Sequence, residues 1–194
     1  MKSSVRRRMV EYLEDSHTYL VDGIVVPSVT RLVGWKLNED FSRIPPKILN
    51  AKAQYGTEVH GLIEAFENGM TLKELSFMDI DRNQKSAVNH YANLKKKAKF
   101  KVKNMEQIVY NDKLAGRYDI LTTKDELIDI KTTYRLNEQY LEWQLGLYYY
   151  LMGMDKRIGY VMWLPKQTEP QFKMINCHSN KECEELIEAF LNSQ

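Results

Sequence analysis

The stretch GRYDILTTKDELIDIK, residues 116–131, decides the fold more than any other part of the sequence. It holds two short runs of strand-forming residues, Arg117–Thr122 and Glu126–Thr132. A polar segment at residues 123–125 separates the two runs and is typical of a turn. The stretch therefore predicts two neighbouring strands joined as a hairpin.

The hairpin would bring two carboxylates and an ammonium group together. Asp119 lies on the first strand, while Asp129 and Lys131 share one side of the second strand and Ile130 faces a core, because side chains alternate along a strand. Carboxylates suit Mg²⁺ or Mn²⁺, and a lysine beside them can stabilise charge on a phosphate. The alternative is a surface ion pair between Asp129 and Lys131, worth about 0–1 kcal/mol. The apolar neighbours favour a metal-assisted phosphodiester hydrolase, since a buried acid needs a partner.

A helix is predicted upstream, in AKAQYGTEVHGLIEAFENG, residues 51–69. His60 and Glu64 are four residues apart, so they lie on one helix face and can reach a common ion. The alternative is a histidine paired with its own glutamate on a partly solvated face. Gly56 and Gly61 each cost about 0.5–1 kcal/mol in a helix, which indicates that another backbone or a substrate comes close.

A third candidate segment follows the hairpin, NEQYLEWQLGLYYYLMG, residues 137–153. Asn137 stands in the position of an N-cap, which predicts that a helix begins there. Gln144 and Tyr148 lie one turn apart beside the apolar stripe, where an amide and a phenol can face the strand site or a nucleic-acid backbone. The alternative is an aromatic core helix whose tyrosine hydroxyls reach water.

Together these segments resemble the PD-(D/E)xK nuclease superfamily, in its RecB-like and phage exonuclease branch. That branch shows a glycine-containing helix leading to a histidine, a Gly-x-x-Asp strand, an Asp/Glu-x-Lys strand and a helix with Gln-x-x-x-Tyr. The four motifs occur here in that order, at residues 56–60, 116–119, 129–131 and 144–148. The segment HTYLVDGIVVPSVTRLVG, residues 17–34, is also similar to the start of small phage exonucleases.

The resemblance implies an α/β fold with a mixed central β-sheet flanked by helices on both faces. It implies a metal-dependent DNA nuclease that uses a Mg²⁺- or Mn²⁺-activated water, of the exonuclease type, in DNA recombination, repair or phage DNA processing. The implied metal ligands are His60, Asp119, Asp129 and the carbonyl of Ile130. The implied catalytic residues are Lys131, Asp119 and Asp129, and the residues implied to support the site or contact DNA are Glu64, Gln144 and Tyr148.

Two other functions remain open. One is a catalytically inactive DNA-binding or recombination-partner module that keeps the fold, against which the intact acids and lysine argue. The other is a hydrolase of small phosphoesters, which would have no use for basic clusters. The implied partners are DNA and a single-strand annealing or recombination protein. An iron–sulfur cluster, which some RecB-like nucleases hold with four cysteines, is not expected because the chain has two.

Length and composition predict one domain, since 194 residues with 43% hydrophobic content can bury a sizeable core. We expect residues 1–50 to form an N-terminal hairpin and helical extension on a nuclease core of residues 51–194. No run resembles a membrane span or a secretory signal, so we expect a cytosolic protein. The resemblance implies that this is the bacterial or phage-infected host cytoplasm. Cys177 and Cys183 are expected to be reduced thiols.

The distribution of charge says more than its total. A net charge of +2 and a pI near 8.4 do not by themselves indicate a nucleic-acid binder. Cations concentrate at Arg6–Arg8 and in the lysine-rich segment 95–103, where they could neutralise phosphates. The alternative is a solvated helix end for the lysines and a frayed terminus for the arginines.

The remaining elements are predicted from hydrophobic periodicity and turn residues. An N-terminal hairpin turns at Asp22-Gly23, a short helix capped by Ser28 runs to Val33, and Asn180 caps a terminal helix. The predicted strands are His17–Val21, Ile24–Val26, Phe100–Asn111, Arg157–Leu164 and Gln171–Asn176, and a further helix spans about Arg82–Lys99.

Overall fold

The computed structural model describes residues 9–40 and 42–194, so the basic segment Arg6–Arg8 lies outside the described residues. The strands are β1 (Val10–Leu13), β2 (Thr18–Val21), β3 (Ile24–Val26), β4 (Val102–Tyr110), β5 (Ala115–Thr122), β6 (Leu127–Lys131), β7 (Ile158–Trp163) and β8 (Gln171–Asn176). The helices are α1 (Val29–Lys36), α2 (Pro46–Glu67), α3 (Leu72–Phe77), α4 (Arg82–Ala98), α5 (Glu138–Leu151) and α6 (Asn180–Leu191).

The main sheet has five strands in the order β4-β5-β6-β7-β8. Strands β6 and β7 are parallel, and the other neighbours are antiparallel. A parallel pair needs a long crossover connection, and α5 supplies it between β6 and β7. The predicted mixed sheet is therefore confirmed, and its hairpin β5–β6 is the stretch from which the prediction started.

Helices cover both faces of this sheet because side chains alternate along the strands. On β6, Ile128 and Ile130 pack with α2, α3 and α4, whereas Leu127 packs with α1, α5 and α6. Burying each such side chain stabilises the fold by about 1.5–3 kcal/mol. The predicted two-faced helical cover is confirmed, and it leaves β6 buried on both sides.

The N-terminal hairpin is part of a three-stranded antiparallel sheet. Its turn has Asp22 at φ 51° and Gly23 at φ 80°, which is the pair of left-handed residues that a tight two-residue hairpin turn requires. Strand β1 pairs with β2 and was not predicted. The sheet is joined to β5 at Ser28 and Ala115, where the Ala115 N–H donates to the Pro27 carbonyl at 3.1 Å. The small sheet therefore lies beside the strand that carries Asp119.

The ends of two helices differ from the predicted ones. Helix α6 is capped by Ser179 and not by Asn180, because Ser179 and Glu182 form a reciprocal capping box. Helix α1 is capped by Ser28 as predicted but continues past Val33 to Lys36. Asn137 caps α5 as predicted, through a hydrogen bond from the Tyr140 N–H.

Within the described part of the chain, no helix combines the length and the apolar character that crossing a membrane would require.

Candidate metal centre

The hairpin opens beside Asp119. Strands β5 and β6 pair at Ile120–Ile128 and Leu121–Leu127. One residue further along β5, the Asp119 carboxylate accepts a hydrogen bond from the Ile130 N–H at 2.6 Å. A side-chain oxygen thus replaces a backbone carbonyl where the strands separate. This fixes Asp119 at the opening and leaves its other oxygen free to face helix α2.

Three potential metal ligands meet at this opening. His60, Glu106 and Asp119 each offer an atom that lies within 4.8 Å of the other two. His60 Nδ1 is 3.3 Å from a Glu106 oxygen and 3.6 Å from an Asp119 oxygen. His60 Nε2 lies 3.1 Å from the Ile130 carbonyl, to which it donates. The structure therefore places the Ile130 carbonyl against the imidazole, where it orients the ring.

Both nitrogens of His60 face oxygen acceptors, which favours the doubly protonated imidazole. Burial alone would lower the pKa of His60, but the carboxylates of Asp119 and Glu106 outweigh it and raise the pKa to about 9. A cation bound to these carboxylates would replace the proton on Nδ1. The site is thus built to hold positive charge between two acids.

Glu106 was not found by sequence reasoning. It lies on β4, where the pairs Met105–Ile120 and Gln107–Tyr118 place it opposite Asp119. Its backbone has φ 49°, a left-handed conformation that costs a non-glycine residue of order 1–3 kcal/mol and clusters at functional sites. Arg117 Nε holds the second Glu106 oxygen at 3.0 Å. Counting the hairpin register outward from the β4–β5 turn would have found this residue.

Asp129 and Lys131 form a buried ion pair next to the three candidate ligands. Lys131 Nζ is 2.8 Å from Asp129 Oδ2 and donates to Oδ1 at 3.0 Å. Lys131 also donates to the Gln144 amide oxygen at 3.2 Å, and the Gln144 amide nitrogen contacts the Tyr148 hydroxyl at 3.3 Å. Asp129 is 2% exposed, so this is no surface ion pair. The structure brings together the strand motif and the Gln-x-x-x-Tyr helix.

Burial shifts the protonation of both aspartates. It raises the pKa of Asp129 to about 6, and Asp119 adds to the rise while Lys131 opposes it. It also raises the pKa of Asp119, against the effect of His60 and Lys131. Burial alone would lower the pKa of Lys131, but Asp129 and Asp119 outweigh it and raise that pKa. Asp129 Oδ2, although close to Lys131, accepts no well-aligned hydrogen bond from any described residue. A buried carboxylate with an oxygen that lacks a hydrogen bond is suited to interact with a cation.

Glu64 does not join the three ligands, although it is one helical turn from His60. It lines the cleft in front of them. His60 and Glu64 have the predicted spacing on α2. The imidazole of His60, however, contacts Glu106 and Asp119 and not Glu64.

The glycines of α2 are open to the cleft and do not face another backbone. A Cβ added at Gly61 would meet nothing within 4 Å among the described residues, and one at Gly56 would meet the Thr132 hydroxyl at 3.6 Å. The prediction that another backbone approaches these glycines is therefore wrong. The open space beside them can accommodate a substrate, which was the other possibility. Gly116 differs, because a Cβ there would lie 2.7 Å from the Tyr148 ring. The Gly-x-x-Asp and Gln-x-x-x-Tyr motifs thus touch each other.

Two clefts meet at Lys131. The first, of about 890 Å³, is lined by the three candidate ligands, by Glu64, by Tyr12 of β1 and by His17, which precedes β2. The second, of about 1020 Å³, lies between α1 and the start of α5. Lys131 lines both clefts, so its ammonium group faces each of them.

The predicted lysine cluster is partly neutralised. Lys95 is paired with Glu67, at 2.6 Å from one of its oxygens, and Lys103 with Asp125 at 2.8 Å. This agrees in part with the solvated helix end that was the alternative. Away from the site, Cys177 and Cys183 are free and buried, and burial raises the pKa of each thiol to about 12.

The fold is similar to that of a solved exonuclease. An alkaline exonuclease from Laribacter hongkongensis matches with a TM-score of 0.52 and 14% sequence identity, over 87% of this chain and 87% of that chain. A phage-related exonuclease from Haemophilus somnus matches with a TM-score of 0.41 and 10% identity, over 84% of this chain and 88% of that chain. The sequence matches no protein-family model, and no curated protein matches it. The likeness to the alkaline exonuclease confirms, for the fold, the resemblance that the motifs predicted.

Proposed function

We propose that this chain is a metal-dependent DNA nuclease of the exonuclease type, acting in DNA recombination, repair or phage DNA processing. The observation that carries the proposal is the meeting of three ligand groups and a lysine–aspartate pair at one open cleft. The exonuclease fold supports it. Fold alone does not define chemistry, so the argument rests on the side chains.

The side chains fit a divalent ion of the Mg²⁺ or Mn²⁺ kind. We assign His60, Glu106 and Asp119 to holding it, with Asp129 completing the acidic wall and the Ile130 carbonyl orienting His60. Oxygen ligands suit both ions, and the imidazole favours Mn²⁺. When bound, the ion would supply Lewis acidity and a water of lowered pKa.

Lys131 is the residue that we assign to the phosphate. The raised pKa keeps its ammonium charged, and the charge lies where both clefts can present a phosphodiester. Asp129 and Gln144 hold the ammonium in place, and Tyr148 holds Gln144. A preorganised cation of this kind stabilises the negative charge that develops on the phosphate during attack. Glu64, on the cleft wall, would contact the DNA or its water shell.

The alternatives predict different behaviour. An inactive DNA-binding module would not need the strained backbone at Glu106 or the desolvated acids. A hydrolase of small phosphoesters would not need two connected clefts of about 890 and 1020 Å³. We therefore propose DNA as the substrate, and a single-strand annealing or recombination protein as a partner that would receive the product.

The test is digestion of end-labelled linear DNA and of circular DNA, each single- and double-stranded, with Mg²⁺, with Mn²⁺ and with a chelator. We expect linear DNA to be degraded from its ends with either metal, circular DNA to resist, and the chelator to stop the reaction. Cleavage of circles would show an endonuclease instead. DNA binding without any cleavage would favour the inactive module.

A further inference from the structure

A third cleft, which we call the lysine–tyrosine groove, lies beyond the residues that follow Lys131. It has a volume of about 700 Å³ and runs between α2 and the segment Thr132–Tyr134. The volume lies within the range of ligand-binding pockets. Nothing in the proposed chemistry uses it so far.

The groove is positively charged. Lys47 and Lys52 of α2 and Lys166 after β7 line it, and none of the described lining residues carries a carboxylate. Lys166 Nζ lies 3.4 Å from the centre of the Tyr55 ring. Three ammonium groups on walls that carry no carboxylate favour an anionic ligand.

The groove also exposes an aromatic ring. Tyr134 is 62% exposed, and Ile48 on the opposite wall is 48% exposed. Sites that bind single-stranded nucleic acid combine a positively charged groove with aromatic rings on which bases stack. An unpaired base can stack on Tyr134, whereas a base within a duplex already has both faces covered.

The groove continues the path from the candidate metal centre. Thr133 lines both this groove and the second cleft, which contains Lys131. The Thr133 carbonyl accepts a hydrogen bond from Trp163 Nε1 at 2.8 Å, which fixes the connecting segment. Tyr134 lies three positions after Lys131, so their Cα atoms are at most about 10 Å apart. A strand with a phosphate at Lys131 can therefore reach the groove within a few nucleotides.

We propose that the lysine–tyrosine groove binds one unpaired strand of the nucleic acid, with a base stacked on Tyr134 and phosphates beside the three lysines. This inference rests on the proposed nuclease function for its direction, because it assigns the groove to the strand that extends from the reacting phosphate. The stacking and the charge are independent of catalysis. An acidic protein segment is the competing occupant, and it would not need an unpaired base.

The test measures binding of a fluorescent single-stranded oligonucleotide and of its duplex to the full chain in chelator, where no cleavage occurs. We expect Tyr134→Ala to weaken single-strand binding about tenfold or more, with little change for the duplex. Tyr134→Phe keeps the ring and should bind like the parent. For the lysine variant described next, Lys181→Ala, which changes an exposed lysine on α6, is the control for loss of charge away from the groove.

A second variant tests the lysines. Replacing Lys47, Lys52 and Lys166 together by alanine should lower the salt dependence of single-strand binding by about 2 in log–log slope, since each phosphate contact on a single strand contributes about 0.7. All these side chains are solvent-exposed, and thermal melting checks that each variant folds.

Several results would overturn the groove assignment. They are parent-like single-strand binding by Tyr134→Ala, equal loss for strand and duplex, or displacement of the oligonucleotide by polyglutamate as readily as by unlabelled strand. Digestion of linear DNA by the parent tests the nuclease separately. If the parent cleaves but Tyr134→Ala binds normally, the groove is wrong and the nuclease stands. If the parent does not cleave DNA but Tyr134→Ala no longer binds the single strand, the proposed nuclease function is wrong and the assignment of the groove is supported.

Discussion

The two aspartates of the candidate site lie on neighbouring strands but in different surroundings. Asp119 has His60 and a backbone N–H as partners and shares an open cleft with Glu106. Asp129 is buried against Lys131. Burial raises the pKa of both acids, yet one is held by an imidazole and the other by an ammonium group. The comparison teaches that one side of the site is arranged to offer ligands and the other to hold a charge in position.

Keeping either aspartate ionised and buried costs the fold free energy. An acid whose pKa is raised in the folded state destabilises that state when the acid is ionised. Such strain is typical of sites that gain stability only when the ligand binds. The predictions below separate the ligand side from the lysine side.

The largest effect is expected from Asp119→Asn and Asp129→Asn. Each should reduce cleavage at least about a thousandfold, because even a group that only orients a metal ligand is worth about 10–100-fold. The fold should survive. Since neutral side chains relieve the desolvated charge, the melting temperature in chelator should stay equal or rise, while the stabilisation by added Mn²⁺ should shrink.

Cleavage assays and thermal melts with and without Mn²⁺ check this prediction. The two variants should differ in one respect, with Asp119→Asn losing more of the Mn²⁺ stabilisation because Asp119 belongs to the three ligands. Unchanged cleavage by either folded variant would refute the site assignment.

Lys131→Ala should come next, with cleavage reduced by about 10²–10³-fold, which is the usual cost of removing one preorganised group that stabilises charge in the transition state. Binding of Mn²⁺ should persist or tighten, because the ammonium no longer occupies Asp129. Calorimetry beside a cleavage assay separates the two quantities. Loss of both would mean that Lys131 is structural.

Sequence reasoning succeeded where the cause of the structure is local. The β5–β6 hairpin follows from a polar turn between two β-prone runs, and the start of α5 follows from the Asn137 cap. Both depend on residues within a few positions of each other. The alternation along β6 likewise placed Lys131 beside Asp129.

It failed where the cause lies in the pairing of distant segments. Glu106 becomes a ligand candidate because the β4–β5 register places it opposite Asp119, which a count from the hairpin turn would have shown, and its left-handed backbone has no local signal. The i, i+4 rule placed Glu64 with His60, but a strand from another part of the chain supplied the partner. One failure was local: short α3 was missed although its capping box, Thr71 to Glu74, is present in the sequence.

His60→Ala should weaken Mn²⁺ binding by about 10–100-fold and Mg²⁺ binding less, because nitrogen ligands favour Mn²⁺. The pKa of His60 is raised to about 9, so at neutral pH the metal must displace a proton. In the parent, Mn²⁺ affinity should therefore rise with pH up to about 9, and this component should vanish in the variant. Calorimetry in buffers of different ionisation enthalpy measures the proton released.

The same histidine gives a stability test in chelator. Because the folded pKa lies above the unfolded value of about 6.5, its contribution is fully present below pH 6.5 and is lost as pH rises through about 9. Between these pH values, the melting temperature of the parent should fall by more than that of His60→Ala. Equal pH profiles and equal Mn²⁺ affinity would show that His60 is a helix-surface histidine without a role in metal binding.

The smallest effect on cleavage distinguishes two adjacent tyrosines of α5. The Gln144 amide N–H donates to the Tyr148 hydroxyl, and the Gln144 amide oxygen accepts from Lys131. Tyr148→Phe should therefore lower cleavage about tenfold or less, and it should cost less stability than Tyr149→Phe because it leaves one buried group, and not two, without a partner. The Tyr149 hydroxyl instead accepts from the Leu127 N–H at 2.7 Å and donates to the Ile158 carbonyl at 2.9 Å. Tyr149→Phe leaves these two buried groups without hydrogen-bond partners and should cost about 1–3 kcal/mol of stability. Cleavage by the folded variant should be unaffected. Denaturant unfolding and single-turnover cleavage of both variants decide the matter. If Tyr148→Phe cleaves like the parent, Lys131 is held by Asp129 alone, and the lysine side of the site needs no support from the helix.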